Sequence, residues 1–232
     1  MDVATMYDQA RNRIIDLIEG APPEALERTV PATPDWTGRQ LLAHLAGVPA
    51  DLLAGNLEGA GTPAWTGPQV AQRADATVAD LVAEWRGSAE AFGELLRNGP
   101  EGLMGALGAD VVQHELDLRG LLGAPVPESA DIAVDKALNF MVGFLDRRVK
   151  KAELPALRLS AGNQEWTFGP GDTEPGAALA TSTVELFRIV AGRRSEAQVR
   201  ALDWSGDPTP YLPVLSAFGP LAAADVAEPS LI

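Results

Sequence analysis

The stretch LGADVVQHELDLRGLL, residues 107–122, decides how the rest of this chain is read. Its apolar residues recur three and four apart, the period of an amphipathic helix. Gly123 and Pro125 close it. On a helix, residues four apart share a face, so Asp110 and His114 project from one side and Asp117 follows a turn later. Leu118 and Leu121 lie on or beside that side and argue for its burial. Polar groups facing a core without partners cost roughly several kcal/mol, so this face needs an explanation.

From the residues alone two explanations stand side by side. In one, Asp110 and His114 grip a single cation. In the other, the face is exposed and the two form a surface pair. The chain has two histidines, and the second, His44, lies in another helical segment from which it could supply a third donor. Two imidazoles and a carboxylate, with no cysteine anywhere, is a set that leaves a metal an open coordination position.

Outward from this stretch the pattern stays helical. Residues 4–19 carry the apolar stripe Met6, Ala10, Ile14, Ile15 and Ile18. Prolines from Pro22 to Pro34 punctuate the connection that follows. Thr37 with Gln40 forms a capping box, opening a long helix, GRQLLAHLAGVPADLLAGNL, that Pro49 is expected to kink. The Gly/Pro-rich GAGTPAWTGP reads as a loop, and Val70 to Ala74 as a short helical turn. Thr77 caps a helix with the stripe Leu81, Trp85, Ala89, Phe92, Leu95 and Leu96, stopped at Asn98-Gly99-Pro100. A further amphipathic helix is expected from Asp131 to about Lys151. Its basic end, Arg147-Arg148-Val149-Lys150-Lys151, suits a helix C-terminus.

After Pro155 the period changes. LRLSA and QEWTF alternate apolar and polar residues on either side of Gly162-Asn163, which reads as a β-hairpin. Thr183 starts a helix, VELFRIVA, closed by Gly192; Ser195 and Gln198 suggest another capping box. The tail from Leu221 is expected to be poorly ordered at its end. The expected organisation is therefore mainly α: a helical domain over residues 1–152 and a smaller α+β domain over 153–232, divided near 152–155.

Composition narrows the function classes. A net charge of −14 repels a phosphate backbone, which disfavours nucleic acid as a partner. No apolar run is long enough for a transmembrane helix. The N-terminal MDVATMYDQARNRII lacks a basic stretch followed by an apolar one, so the cytoplasm is the expected location. Zero cysteines exclude disulfides and a protein thiol nucleophile.

Two segments carry a resemblance. PDWTGRQLLAHLAG, with Trp36 before the Thr37 cap and His44 seven residues after it, resembles the second-helix signature of the DinB-like metalloprotein superfamily. More closely it resembles the N-terminal domain of the mycothiol-dependent maleylpyruvate isomerase family, whose later metal helix is matched by DVVQHELDLRGLLG. The carboxy-terminal EWTF, VELFRIVAGR and Gly206-Asp207 are similar, more loosely, to the small second domain of such proteins.

The resemblance implies a DinB-like up-and-down four-helix bundle followed by the small α+β domain. It implies His44, Asp110 and His114 as ligands of a divalent cation, foremost Zn²⁺, although the best-known member has Glu where this chain has Asp110. Asp117 matches an Asp-Leu step of the family, with a role either in orienting His114 or as general base, against a plain structural hydrogen bond. Arg193 or Arg194 is implied as a substrate contact, against a helix C-terminal charge. The implied thiol cofactor or co-substrate is mycothiol, activated by the metal for addition to a small electrophile. The reaction would be isomerisation, in which the thiol adds and leaves, or S-transfer. Maleylpyruvate is one candidate electrophile, and the cleft between the two domains the implied pocket. The alternatives are a non-catalytic, degenerate metal-binding protein and, more remotely, a non-haem iron oxygenase. Oligomeric state stays open.

Overall fold

A computed structural model describes residues 1–170 and 174–231. The chain is mostly helical with a small sheet, and it divides into two compact units, Met1–Ala124 and Pro125–Ile232. Among the described residues no helix is long and apolar enough to cross a membrane.

In the first unit α1 (Val3–Glu19) begins at Asp2, whose side chain accepts from the Thr5 amide at 2.7 Å. A short hairpin, β1 (Thr29–Val30) and β2 (Thr33–Thr37), occupies the proline-punctuated connection. The Thr37–Gln40 capping box then opens α2 (Gly38–Leu53) as expected, and the helix continues through Pro49. Next come α3 (Pro63–Gln72), α4 (Val78–Gly87), α5 (Ala89–Asn98) and α6 (Glu101–Leu122). Helix α1 packs on α5 and α6, and α2 on α4, α3 and α6. The bundle thus consists of α1, α2, the α4–α5 pair and α6, with α3 laid against α2.

The apolar stripes form its core. Ile14, Ile15, Leu41, Leu42, Leu45, Trp85, Phe92, Val111, Val112, Leu116 and Leu118 are all buried. Inside it, Trp85 Nε1 donates to Tyr7 Oη at 3.2 Å. Glu115 is buried between two cations, accepting from Arg13 on α1 (2.6 and 2.9 Å) and from Arg119 one turn along α6 (2.9 and 3.1 Å).

Three local boundaries differ from expectation. The GAGTPAWTGP segment is partly helical, because Pro63 falls at the first helical position, where a helix tolerates it, and Trp65 Nε1 anchors the turn on the Asn56 carbonyl at 3.0 Å; the helix then continues through Pro68. The expected single helix from Thr77 breaks at Ser88, whose hydroxyl turns back onto the Trp85 carbonyl at 2.9 Å. The helix expected over 131–151 likewise divides into α7 (Asp131–Val142) and α8 (Leu145–Lys151) around Gly143.

The second unit begins earlier than the change of pattern near 152–155 suggested, because the apolar stripe of α7 packs on a helix of this unit, α9 (Thr183–Val190). The expected hairpin of β3 (Leu157–Ala161) and β4 (Gln164–Phe168) forms, with Leu157 opposite Phe168 and Ala161 opposite Gln164. β5 (Ala177–Thr181) runs parallel to β3 on its other side, and after α10 (Glu196–Arg200) comes β6 (Trp204–Gly206), which closes the sheet in the order β4-β3-β5-β6. A short α11 (Leu212–Leu215) follows. The tail from Leu221 is built in, contrary to expectation: Val226, Glu228 and Leu231 are buried, and Glu228 accepts from Arg188 and Arg194. Ile232, the last residue of that tail, lies outside the described residues.

Candidate metal centre

The first unit brings together the three residues singled out as ligands. Donor atoms of His44 on α2 and of Asp110 and His114 on α6 all lie within 4.8 Å of one another. Each helix supplies its residue by its stripe: His44 is buried beside Leu41 and Leu45, and His114 beside Val111 and Leu118. The two rings meet nearly at right angles, 80°, with centroids 5.2 Å apart, and Trp36 covers His44 at 5.1 Å. The exposed-pair explanation of this helix face therefore fails for His114, which is 4% exposed, whereas the Asp110 carboxylate keeps 37% of its surface. Access to the cluster is from the Asp110 side.

The distances separate a hydrogen-bonded cluster from a coordinating one. His114 Nε2 is 3.4 Å from Asp110 Oδ1, and His44 Nε2 is 3.7 Å from Oδ2. Both exceed a good N–H···O bond of about 2.7–3.2 Å. Donors each about 2.0–2.2 Å from a tetrahedral Zn²⁺ are spaced roughly 3.3–3.5 Å apart. The residues present thus suit a shared cation better than they suit one another.

Behind each imidazole a second polar group holds the ring. His114 Nδ1 is 2.8 Å from Asp117 Oδ2. His44 Nδ1 is 2.8 Å from Gln69 Oε1, and Gln69 Nε2 donates to Asp51 Oδ2 at 2.7 Å. With both Nδ1 atoms engaged, both Nε2 atoms face Asp110, the arrangement found where a histidine binds metal through one nitrogen and is steered through the other. Asp117 is completely buried, with its carboxylate against the His114 ring.

The electrostatics fit the same picture. Burial opposes ionisation of Asp110, yet the charge of His114 and the closeness of both rings outweigh it and hold the carboxyl well below the usual range. Burial also works against protonating His114, but Asp110 and then Asp117 raise it to about 9. An incoming cation would displace that proton.

The two arginines of the second unit are placed differently. Arg194 is buried and committed to its own chain: Nε and Nη2 donate to Glu185, each at 2.8 Å, and Nη1 to Glu228 at 2.9 Å and to the Arg193 carbonyl at 2.8 Å. Its guanidinium is satisfied by these partners, which corrects the expectation that it could serve as a substrate contact. Arg193 is half-buried, with Nη1 3.5 Å from the Ala191 carbonyl.

Gln69 and Asp51 are the residues of this site that reading the sequence missed. Asp51 had a signal, since it stands seven residues after His44 on the same helix face. Gln69 had none, because its partner is reached across the packing of α3 on α2.

Comparison with known proteins follows the geometry. Residues 7–119 match the family model of the mycothiol maleylpyruvate isomerase N-terminal domain. A crystal structure of the mycothiol-dependent maleylpyruvate isomerase is similar over 84% of this chain and 89% of that one, at 15% identity and a TM-score of 0.59. The structure of a histidine-to-alanine mutant of that enzyme covers 84% of this chain and 92% of its own, at 14% identity and a TM-score of 0.58. At such identities the likeness to the two structures is one of fold. No curated protein matches the chain.

Proposed function

Residues 7–119 belong to the mycothiol maleylpyruvate isomerase N-terminal domain family, and on that premise we propose that this protein is a metal-dependent enzyme that activates the thiol of mycothiol toward a small electrophile. The observation that carries the proposal is the convergence of His44 Nε2, His114 Nε2 and the Asp110 carboxylate, at spacings that suit one cation. Zn²⁺ is the proposed ion, since two imidazoles and a carboxylate with no sulfur ligand match its open catalytic sites.

When bound, the cation supplies positive charge that lowers the pKa of a thiol presented to it, so that thiolate exists at neutral pH. The chain's own residues do the rest. His44 and His114 present neutral nitrogen, Asp110 offsets one of the two charges, and Asp117 and Gln69 prevent the rings from turning. The protein has no cysteine, which fits a thiol nucleophile borrowed from a small molecule. An electrophile with an activated double bond is isomerised if the thiol adds and leaves, and is thiolated if the thiol stays. As a low-molecular-weight thiol reaction it belongs in the cytoplasm.

A second reading has one observation in its favour. The burial of Arg194 removes one of the two candidates for the single arginine expected to hold a substrate carboxylate, as in a metal-binding protein without this catalysis. Calorimetric titration of the metal-loaded protein with mycothiol separates the two. Saturable binding is expected; none at millimolar thiol would overturn the thiol-dependent reading and leave the metal site standing. Replacing His114→Ala is expected to abolish metal retention, read by elemental analysis, and stoichiometric metal in that variant would defeat the ligand assignment.

A further inference from the structure

Behind His44 lies a two-residue chain that runs from the buried ring to the half-exposed Asp51. We propose that Asp51 and Gln69 are positioning residues that hold the Nδ1 hydrogen on His44 and so reserve Nε2 for the metal. The purpose of the device rests on the metal reading above; its hydrogen-bond logic does not.

The logic starts at Asp51. A carboxylate oxygen accepts and does not donate. Asp51 Oδ2 is 2.7 Å from the Gln69 amide, and Oδ1 already accepts from Asn56 Nδ2 at 3.1 Å. The end of the amide that faces Asp51 is therefore its NH₂, since the reversed amide would set two acceptors against each other. With the NH₂ so placed, the Gln69 carbonyl faces His44 Nδ1 at 2.8 Å. A carbonyl only accepts, so Nδ1 must carry a hydrogen in every protonation state of the ring. Amide orientation and imidazole tautomer are normally inferred from the network around them; here Asp51 decides both.

The fold is arranged to deliver Gln69 to this place. His44, Gly47 and Asp51 share one face of α2. A Cβ on Gly47 would stand 2.7 Å from Gln69 Cβ and 2.9 Å from its Cγ, so the glycine permits α3 to seat Gln69 between the two. Gln69 is 1% exposed, and the Trp65–Asn56 hydrogen bond anchors the first turn of α3. The helix that starts in the stretch read as a loop thus carries, one residue beyond that stretch, the support of one ligand. His114 reaches the same end by a shorter route, with Asp117 directly on its Nδ1.

Nitrogen-15 NMR of the His44 ring, recorded on metal-free and metal-loaded protein in mildly alkaline buffer, tests the proposal. Nδ1 is expected to be protonated in both forms, with the metal-dependent shift confined to Nε2. Gln69→Leu is expected to release the tautomer and weaken metal affinity by about 10–100-fold in a chelator competition. Asp51→Asn, at a half-exposed position, is expected to fall between Gln69→Leu and the wild type, because Asn presents either a donor or an acceptor. The double variant Gln69→Glu/Asp51→Asn reverses the outer bond, with Asn donating to Glu, but keeps the inner one, with Glu accepting from Nδ1, and is expected to restore tautomer and affinity together. An unprotonated Nδ1 in the wild type would overturn the proposal, as would unchanged tautomer and affinity in Gln69→Leu. A wild-type protein that holds the Nδ1 hydrogen yet binds no metal supports the hydrogen-bond logic and overturns only the metal reading.

Discussion

Two buried polar clusters of the molecule, one in each unit, are built on opposite plans. In the second unit Arg188 and Arg194 face Glu185 and Glu228, two cations against two anions, with contacts of 2.5 to 3.1 Å. In the first unit His44, Asp110 and His114 stand 3.4 to 3.7 Å apart, while the far side of each ring is held at 2.8 Å. The first plan closes on itself and joins the chain's tail to α9. The second fixes its members from behind and leaves their lone pairs converging. Full satisfaction marks a structural cluster; rigid support with loose mutual contacts marks one shaped for a further partner.

Substitutions should separate the two plans. The largest effect on folding is expected from Glu228→Ala, which removes the shared acceptor of two buried guanidinium groups. Breaking a buried ion pair costs about 3–5 kcal/mol, so denaturant unfolding should show the second unit strongly destabilised while metal content stays stoichiometric. Lost metal in that variant would mean the clusters are coupled, and the comparison would break.

Asp117→Asn should do the reverse. Asn can still accept from His114 Nδ1 but supplies no charge, so metal affinity is expected to fall by about 10–100-fold with little change in the unfolding midpoint. If turnover is lost while affinity is intact, Asp117 takes part in the chemistry and the orienting role fails. The smallest effect is expected at Thr37→Ala, which removes the cap of α2 and costs about 1 kcal/mol. Because the cap lies at the start of the helix that carries His44, chelator competition on this variant shows how far fraying of α2 reaches the site, and no measurable weakening of metal binding is expected.

The two clusters also differ in how far they could be read in advance. The metal cluster was half legible. Asp110 and His114 are four apart on one helix, the Thr37 cap sets where α2 begins, and both features are local. Which way the rings face, and that Gln69 and Asp51 stand behind one of them, depends on α3 lying against α2. The closed network was not legible: Glu185, Arg188 and Arg194 are near one another in sequence, but Glu228 comes from a tail that looked unstructured. Nothing near Arg194 in the sequence therefore showed that its charge is buried.

Periodicity and capping by themselves determined α1, α2, α9, the β3–β4 hairpin and the pairing of a carboxylate with an imidazole on α6, because each depends on residues within a few positions of one another. Tertiary structure decided the rest. It assigned α7 to the second unit by packing it on α9, and it laid the helix that starts in a Gly/Pro-rich stretch against α2 so that Gln69 supports His44. The physical reason is common to both: a buried polar group or apolar stripe must find its partner, and the partner's distance along the chain leaves no trace in local pattern.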